Sequence, residues 1–486
     1  VAAGPGELMS EPDEYRFVPP SADVGKRYFD EYGVGDPYGA GIAYPVFVAL
    51  QDLHPDKLGA DWHEFSAKFG TIKNRDDPSD PHALPVGFHL TRDPNTRVDF
   101  LVANCQLCHA EVLNIDGREV FVSGLGNKRL RLHAYDQALV EIGQDASLST
   151  ATLLAATRQA ARRLGLPWST DYGRAIVDAA VRELTARADL RDADSRRLAA
   201  GLPGRVATIE GFMAALNEQY GAHLSAEGRA IGWTKIPDVA TWRYRETNSF
   251  DGVSSGAPVA TVAGADVAFG VRARWYEEHP HIATSMLLYL RQFDRALPYP
   301  GPIDAALAET GRRAFNVTCS GCHGNYPTAD PAVAGHEVGY HEQVVAQAVV
   351  GTDRARLDAV TDAFITAAND VVATRGLVVH KKSVGYVPRP LVDVWARGTY
   401  GHAGQWPDLA VLALPPAERP TRFVVDLAAP LNLDRMGVAW STQGAPGPDR
   451  YVYDGSAPGF GVQGHTFLSD LPADDRRAVL EYLKTL

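Results

Sequence analysis

Two short runs hold the residues whose types and spacing suit chemistry: Asn104-Cys105-Gln106-Leu107-Cys108-His109 and Thr318-Cys319-Ser320-Gly321-Cys322-His323. In each, two cysteines three apart are followed at once by a histidine. On one helical turn both sulfurs can form thioethers to the two vinyl groups of a porphyrin, and the histidine can offer a ring nitrogen to its iron. The runs therefore predict two covalently bound haem c groups, attached through Cys105, Cys108, Cys319 and Cys322, with His109 and His323 as proximal ligands. All four cysteines of the chain fall in these runs. A lone Cys-x-x-Cys also fits a redox disulfide or half of a four-cysteine zinc site. Neither requires a histidine after both second cysteines, and no βαβ pattern surrounds either run.

The bulk numbers set the frame. A chain of 486 residues has room for two or three domains. Its 45% hydrophobic and 22% charged content is that of an ordinary folded protein. A net charge of −12 argues against nucleic acid or an anionic membrane as partner, and no apolar run is long enough to span a bilayer. The start, Val1-Ala2-Ala3-Gly4-Pro5-Gly6, has neither an initiator Met nor a signal peptide and reads as a processed or trimmed terminus. Haem of this kind is attached outside the bacterial cytoplasm, so a periplasmic or secreted location is expected.

The elements that must position the motifs recur in order. Gly25-Lys26-Arg27-Tyr28-Phe29 is echoed by Gly311-Arg312-Arg313-Ala314-Phe315, and Tyr289-Leu290-Arg291-Gln292-Phe293 by Tyr482-Leu483-Lys484-Thr485-Leu486. That order resembles the cytochrome c fold, whose first and last helices cross at a glycine beside an aromatic. The repetition divides the chain into an N-terminal arm (1–20), a first cytochrome c-like domain with insertions (21–298) and a second (299–486). The boundary lies in the proline-rich run Ala296-Leu297-Pro298-Tyr299-Pro300-Gly301-Pro302. Helices are expected over Leu130–Ile142, Ala151–Leu164, Tyr172–Ala200, Asp304–Phe315, Arg354–Thr374 and Pro472–Leu486. The long segment between Gly25 and Cys105 reads as loop and short strand, and Tyr451-Val452-Tyr453 as a strand. The expected fold class is mainly α: two cytochrome c-like haem domains with long loops and a helical insertion.

With these features the chain resembles the di-haem bacterial cytochrome c peroxidase superfamily, and most of all its rubber-oxygenase branch. The runs that carry the likeness are Tyr299-Pro300-Gly301-Pro302-Ile303-Asp304, Val349-Val350-Gly351-Thr352-Asp353-Arg354 and Gly385-Tyr386-Val387-Pro388-Arg389-Pro390-Leu391. Trp395-Ala396-Arg397-Gly398-Thr399-Tyr400-Gly401-His402-Ala403-Gly404 and Gly464-His465-Thr466-Phe467 complete them. The likeness covers most of residues 20–486, weakly near 150–200. In such enzymes one haem transfers electrons, and the other, usually the N-terminal one, meets peroxide or dioxygen.

The resemblance also implies roles. An iron with protein ligands on both faces passes electrons, whereas an open or labile face binds a small oxidant. For the second haem, His465 is the expected distal ligand, Met436 its rival, and His402 a supporting residue near the haem. For the first, His133 is the expected displaceable distal histidine; without it the site stays open, as the oxygenase branch implies. The stretch Trp242–Gly252 resembles that branch's pocket lining, with Phe250 an apolar wall beside bound oxygen and Glu246 an acid/base. Trp233, Trp242 and Trp275 are candidate electron bridges, and calcium between the modules is left open. The function expected is an exported di-haem oxidoreductase of peroxidase or dioxygenase type, exchanging electrons with a small redox protein and using hydrogen peroxide or dioxygen. A pure electron carrier with both haems six-coordinate, and an enzyme that oxidises a partner protein, are the alternatives.

Overall fold

A computed structural model describes residues 12–37, 40–247, 249–256, 270–295, 297–331, 338–370, 377–379 and 384–486, with 262, 264, 266 and 267 as separate positions. Residues 1–11 of the expected arm, Asn248 of the expected pocket run and Ala296 of the expected boundary lie outside the described residues. Helix makes up 41% and strand 13%, with several small antiparallel sheets, so the chain is a mixture of α and β. The mainly α expectation, with its cytochrome c-like domains, is corrected accordingly.

The extra structure arises where local pattern was read as loop. After α1 (Ala22–Asp30), capped by the Ser21 hydroxyl accepting from the Val24 N–H, come α2 (Tyr44–Leu53) and α3 (Trp62–Phe69). The first is apolar nearly all round and the second carries Trp62, Phe65 and Phe69 on one face. Both sit in the largest apolar core with Phe47 and Leu50. The Asp-Pro turns occupy only the stretch after them. Strands β1 (Phe88–Arg92) and β2 (Asp99–Ala103) then pair antiparallel and lead directly into the first cysteine run. Beyond that run, β3 (Ala110–Ile115) and β4 (Arg118–Ser123) form a hairpin around Asp116-Gly117. Both turn residues take positive φ, 50° and 81°, and Asp-Gly between alternating apolar residues is the strongest short-range hairpin signal.

Four helices follow: α4 (Leu132–Gly143), α5 (Thr150–Leu164), α6 (Gly173–Ala199) and α7 (Thr208–Tyr220). Then α8 (Pro280–Gln292) crosses α1 so closely that a Cβ on Gly25 would lie 2.0 Å from the Ser285 carbonyl oxygen. One turn on, Phe29 packs against Tyr289 and Phe293. The later half repeats this contact. There α9 (Ala305–Thr318), capped by Asp304, meets α10 (Ala473–Leu483), and a Cβ on Gly311 would lie 1.9 Å from the Ala478 carbonyl oxygen. Phe315 stacks edge-on to Tyr482. The expected helix over Arg354–Thr374 is broken into Ala355–Asp358 and Asp362–Asp370, its last residues falling outside the described set. Between α9 and α10 stands a three-stranded sheet, β5 (Arg422–Asp426) flanked by β6 (Ala439–Ser441) and β7 (Arg450–Asp454). Phe423, Val425, Tyr451 and Tyr453 are buried there, as the alternation of aromatic and β-branched residues requires.

Candidate functional site

Both cysteine runs are single turns. Asn104 caps the first by accepting from the Gln106 N–H, and the His109 N–H donates 2.8 Å to the Cys105 carbonyl. The second continues from α9, with the His323 N–H 3.0 Å from the Cys319 carbonyl and the Ser320 hydroxyl donating to Asn316. No disulfide joins the four cysteines. Among the described residues no three His, Cys, Asp or Glu side chains converge as they would on a metal ion, so the two cysteine pairs do not build one zinc site.

The two histidines are fixed alike. His109 Nδ1 lies 3.0 Å from the Pro237 carbonyl oxygen and His323 Nδ1 2.8 Å from that of Arg389. A carbonyl can only accept, so Nδ1 carries the proton in each ring and Nε2 keeps a free lone pair, the state a metal ligand needs. Burial pushes His109 down to about 4 and lowers His323 as well, so both rings are neutral at pH 7.

Each run opens onto a cavity, about 280 Å³ at the first and 290 Å³ at the second. In the second, His465 faces His323 with ring centroids 6.0 Å apart. Its Nδ1 is buried without a hydrogen-bond partner among the described residues, and burial pushes its pKa down to about 4. Arg389 and Arg397 line the same cavity, and buried guanidinium nitrogens of both, including each Nε, lack a hydrogen-bond partner among the described residues. An apolar slot with two cysteines, a neutral histidine on each side and underused guanidinium groups suits a porphyrin with its carboxylates. The donor set therefore fits a haem.

The first cavity differs. Cys105, Cys108, His109, Trp242 and Phe250 line it, and among the described residues His109 is its one histidine. Arg245 lines it too, its guanidinium 4.8 Å above the Trp242 ring. Asp266 lies in the same cavity, accepts from the Tyr276 hydroxyl, and is pushed by burial up to about 6. The two cavities share a wall of Ile236, Pro237, Phe250 and Arg389, so the carbonyls that hold His109 and His323 belong to that wall.

Several expected residues stand elsewhere. Glu246 is exposed and lines neither cavity; the chain turns there, and the buried neighbour Arg245 faces inward instead. His133 lines a separate chamber, and its Nε2 accepts from the Ala207 N–H at 3.0 Å, which takes that nitrogen away from an iron. Met436 is packed into the apolar core and is not among the residues lining the second cavity. His402 does line that cavity, stacked 4.4 Å from Tyr386, with Gln405 Nε2 3.2 Å from its Nδ1. Phe250 lies in the shared wall, its ring 4.9 Å below the Arg389 guanidinium. Of the three tryptophans, Trp242 alone lines the first cavity and none lines the second. Sequence reasoning missed Arg245, Arg389, Arg397, Asp266 and Pro237. Arg389 and Arg397 sit inside runs already singled out, where a basic residue amid apolar neighbours was the available signal.

Comparison with protein-family models and with curated proteins finds no match for this chain.

Proposed function

We propose that the chain is an exported di-haem oxidoreductase of peroxidase or oxygenase type, as its likeness to the rubber-oxygenase branch implies. Its first site would meet dioxygen or hydrogen peroxide, and its second would store and pass electrons to and from a small redox protein. The observation that carries this reading is the unequal histidine supply: His323 faces His465 across the second cavity, while His109 has no histidine opposite it among the described residues. When bound, the haems supply one-electron chemistry and, at an open face, activation of the oxidant.

The chain's own residues would do the rest. Cys105 and Cys108 anchor the first group, Cys319 and Cys322 the second, and the Pro237 and Arg389 carbonyls hold the histidines in one tautomer. Phe250 and Trp242 keep the first cavity apolar, and Arg245 places a cation where negative charge from an oxidant would collect. The shared wall keeps the two sites within one short stretch of protein. Among the described residues no helix is long and apolar enough to cross a membrane.

Intact mass together with optical and EPR spectra tests the proposal. The expected result is the polypeptide plus two haems, one low-spin centre, and one high-spin or oxidant-binding centre that responds to carbon monoxide and peroxide. A bare polypeptide mass ends the reading; two low-spin centres inert to both reagents make the protein an electron carrier instead.

A further inference from the structure

The short helix Ala273–Glu278 brings Trp275 and Tyr276 into the apolar core that walls the first cavity. Phe29, Trp242, Met286 and Leu290 belong to that core and line the cavity, and Cys105 packs against it. Tyr276 is buried there, and its hydroxyl donates to Asp266, itself a cavity residue. Beyond Tyr276 the rings continue. Its centroid lies 4.9 Å from that of Trp275, edge to face, and Trp275 lies 5.2 Å from Tyr15 in the same manner. Exposed Arg16 and Phe17 follow Tyr15, so the ladder runs from the cavity wall to the surface.

A phenol that loses an electron becomes a strong acid, so its oxidation in a buried place needs a proton acceptor within hydrogen-bond reach. Asp266 is that acceptor for Tyr276. Burial pushes Asp266 up to about 6, so at pH 7 it is mostly carboxylate and readier than usual to take a proton. Burial and the Asp266 charge raise the Tyr276 hydroxyl, which therefore keeps its proton until the electron leaves. The Trp275 indole N–H has no hydrogen-bond partner among the described residues, so that ring can pass charge on but has nowhere to put a proton. The Tyr15 hydroxyl lies 3.4 Å from that of Thr91, which donates to Glu14.

We propose that Tyr276 is a redox-active residue that takes oxidising equivalents off the first site when the second supplies no electron, and that Trp275 and Tyr15 lead them outward. The inference deepens the proposed function and rests on it, because the oxidant reacts at the first site. Hydrogen peroxide takes two electrons and two solvent protons to become two waters. The first site gives one electron and Tyr276 the other; the Tyr276 hydroxyl proton passes to Asp266, leaving a neutral tyrosyl radical and a protonated carboxyl. Trp275 then returns an electron to Tyr276, which recovers its proton from Asp266. Tyr15 refills Trp275, its own proton moving to Thr91 as the Thr91 proton moves to Glu14.

Freeze-quench EPR of the haem-loaded protein mixed with hydrogen peroxide is the test, run on protein grown with ordinary or ring-deuterated tyrosine. A radical signal should appear and narrow with the deuterated label. Tyr276→Phe should abolish it, and Asp266→Asn, which removes the proton acceptor, should slow its formation about a hundredfold. Trp275→Phe should hold the radical at Tyr276 and lengthen its life. Haem spectra and denaturation midpoints matching wild type show that the variants fold. A peroxide response at the first site with no tyrosine radical, or a radical equal in wild type and Tyr276→Phe, overturns the proposal and leaves the proposed function standing. A lifetime unchanged in Trp275→Phe overturns the outward leg. A protein inert to both peroxide and carbon monoxide loses the proposed function, and the relay with it.

Discussion

His465 occupies a left-handed backbone conformation, φ 47°, that glycine adopts without cost. Glycine is therefore the cleaner replacement: His465→Gly removes the imidazole and suits the backbone. Under the proposed function, the low-spin centre expected at the second site should become high-spin, and added imidazole should restore it; a spectrum indifferent to the substitution removes His465 from the expected ligand set. His402 gives a pH prediction that involves no proposed ligand. Burial, with the nearby Arg356 cation, pushes it down to about 3, against about 6.5 in an unfolded chain. The unfolded state then binds the extra proton between these values, so this contribution is complete above about pH 6.5 and is lost as pH falls towards 3. Urea midpoints measured from pH 7 to pH 4 should fall, and the fall should be shallower in His402→Gln.

The helix crossings make their prediction at the level of elements. Alanine is the better helix former by about 1 kcal/mol, yet at Gly311 its Cβ would lie 1.9 Å from the Ala478 oxygen, and backbone cannot give way as a side chain can. Overpacking of this kind costs about 1–3 kcal/mol or more, so Gly311→Ala should lower the denaturation midpoint, as should Gly25→Ala. Gly321→Ala is the control: nothing lies within 4 Å of a Cβ there, and stability should hardly move. Since α9 runs straight into Cys319, a forced separation of α9 from α10 should also, under the proposed function, broaden the spectrum of the haem expected there.

Across the whole molecule, one ionic node ties distant segments to the wall between the cavities. Asp238, next to Pro237, pairs with Arg295 and lies 3.7 Å from Arg397, while Arg295 also reaches Asp393 at 2.9 Å. Arg295 further donates to the Ser123 carbonyl at 3.0 Å. The side chains of Arg295, Asp238 and Asp393 are less than a tenth exposed. Removing one partner of such a set strands the others, at about 3–5 kcal/mol. Asp238→Asn should therefore cost this much in chemical denaturation and, under the proposed function, disturb the spectra of both expected haems, because Pro237 holds His109 and lines both cavities. A midpoint within error of wild type would show the node to be incidental.

The local geometry of the two motifs was legible: three residues and one helical turn decide where two sulfurs and an imidazole point. The same holds for the Gly/Phe crossings and for the helices at Leu132–Gly143 and Thr150–Leu164, where periodicity, and in the second the Ser149 cap, act over a few residues. The α and β mixture was legible only in part. Tyr451–Tyr453 reads as a strand and is one, whereas the Asp116-Gly117 hairpin was passed over and the apolar Tyr44–Leu50 run had no visible period because it is buried all round. What lies across each cavity is a different matter. His465, pointed to by the resemblance and not by spacing, reaches His323 from the far end of the chain, Glu246 points outward, and Pro237, Phe250 and Arg389 meet only because separate segments pack there. Sequence spacing settles what a turn can hold; the burial of apolar surface between remote segments settles what faces it, and only the folded chain shows that.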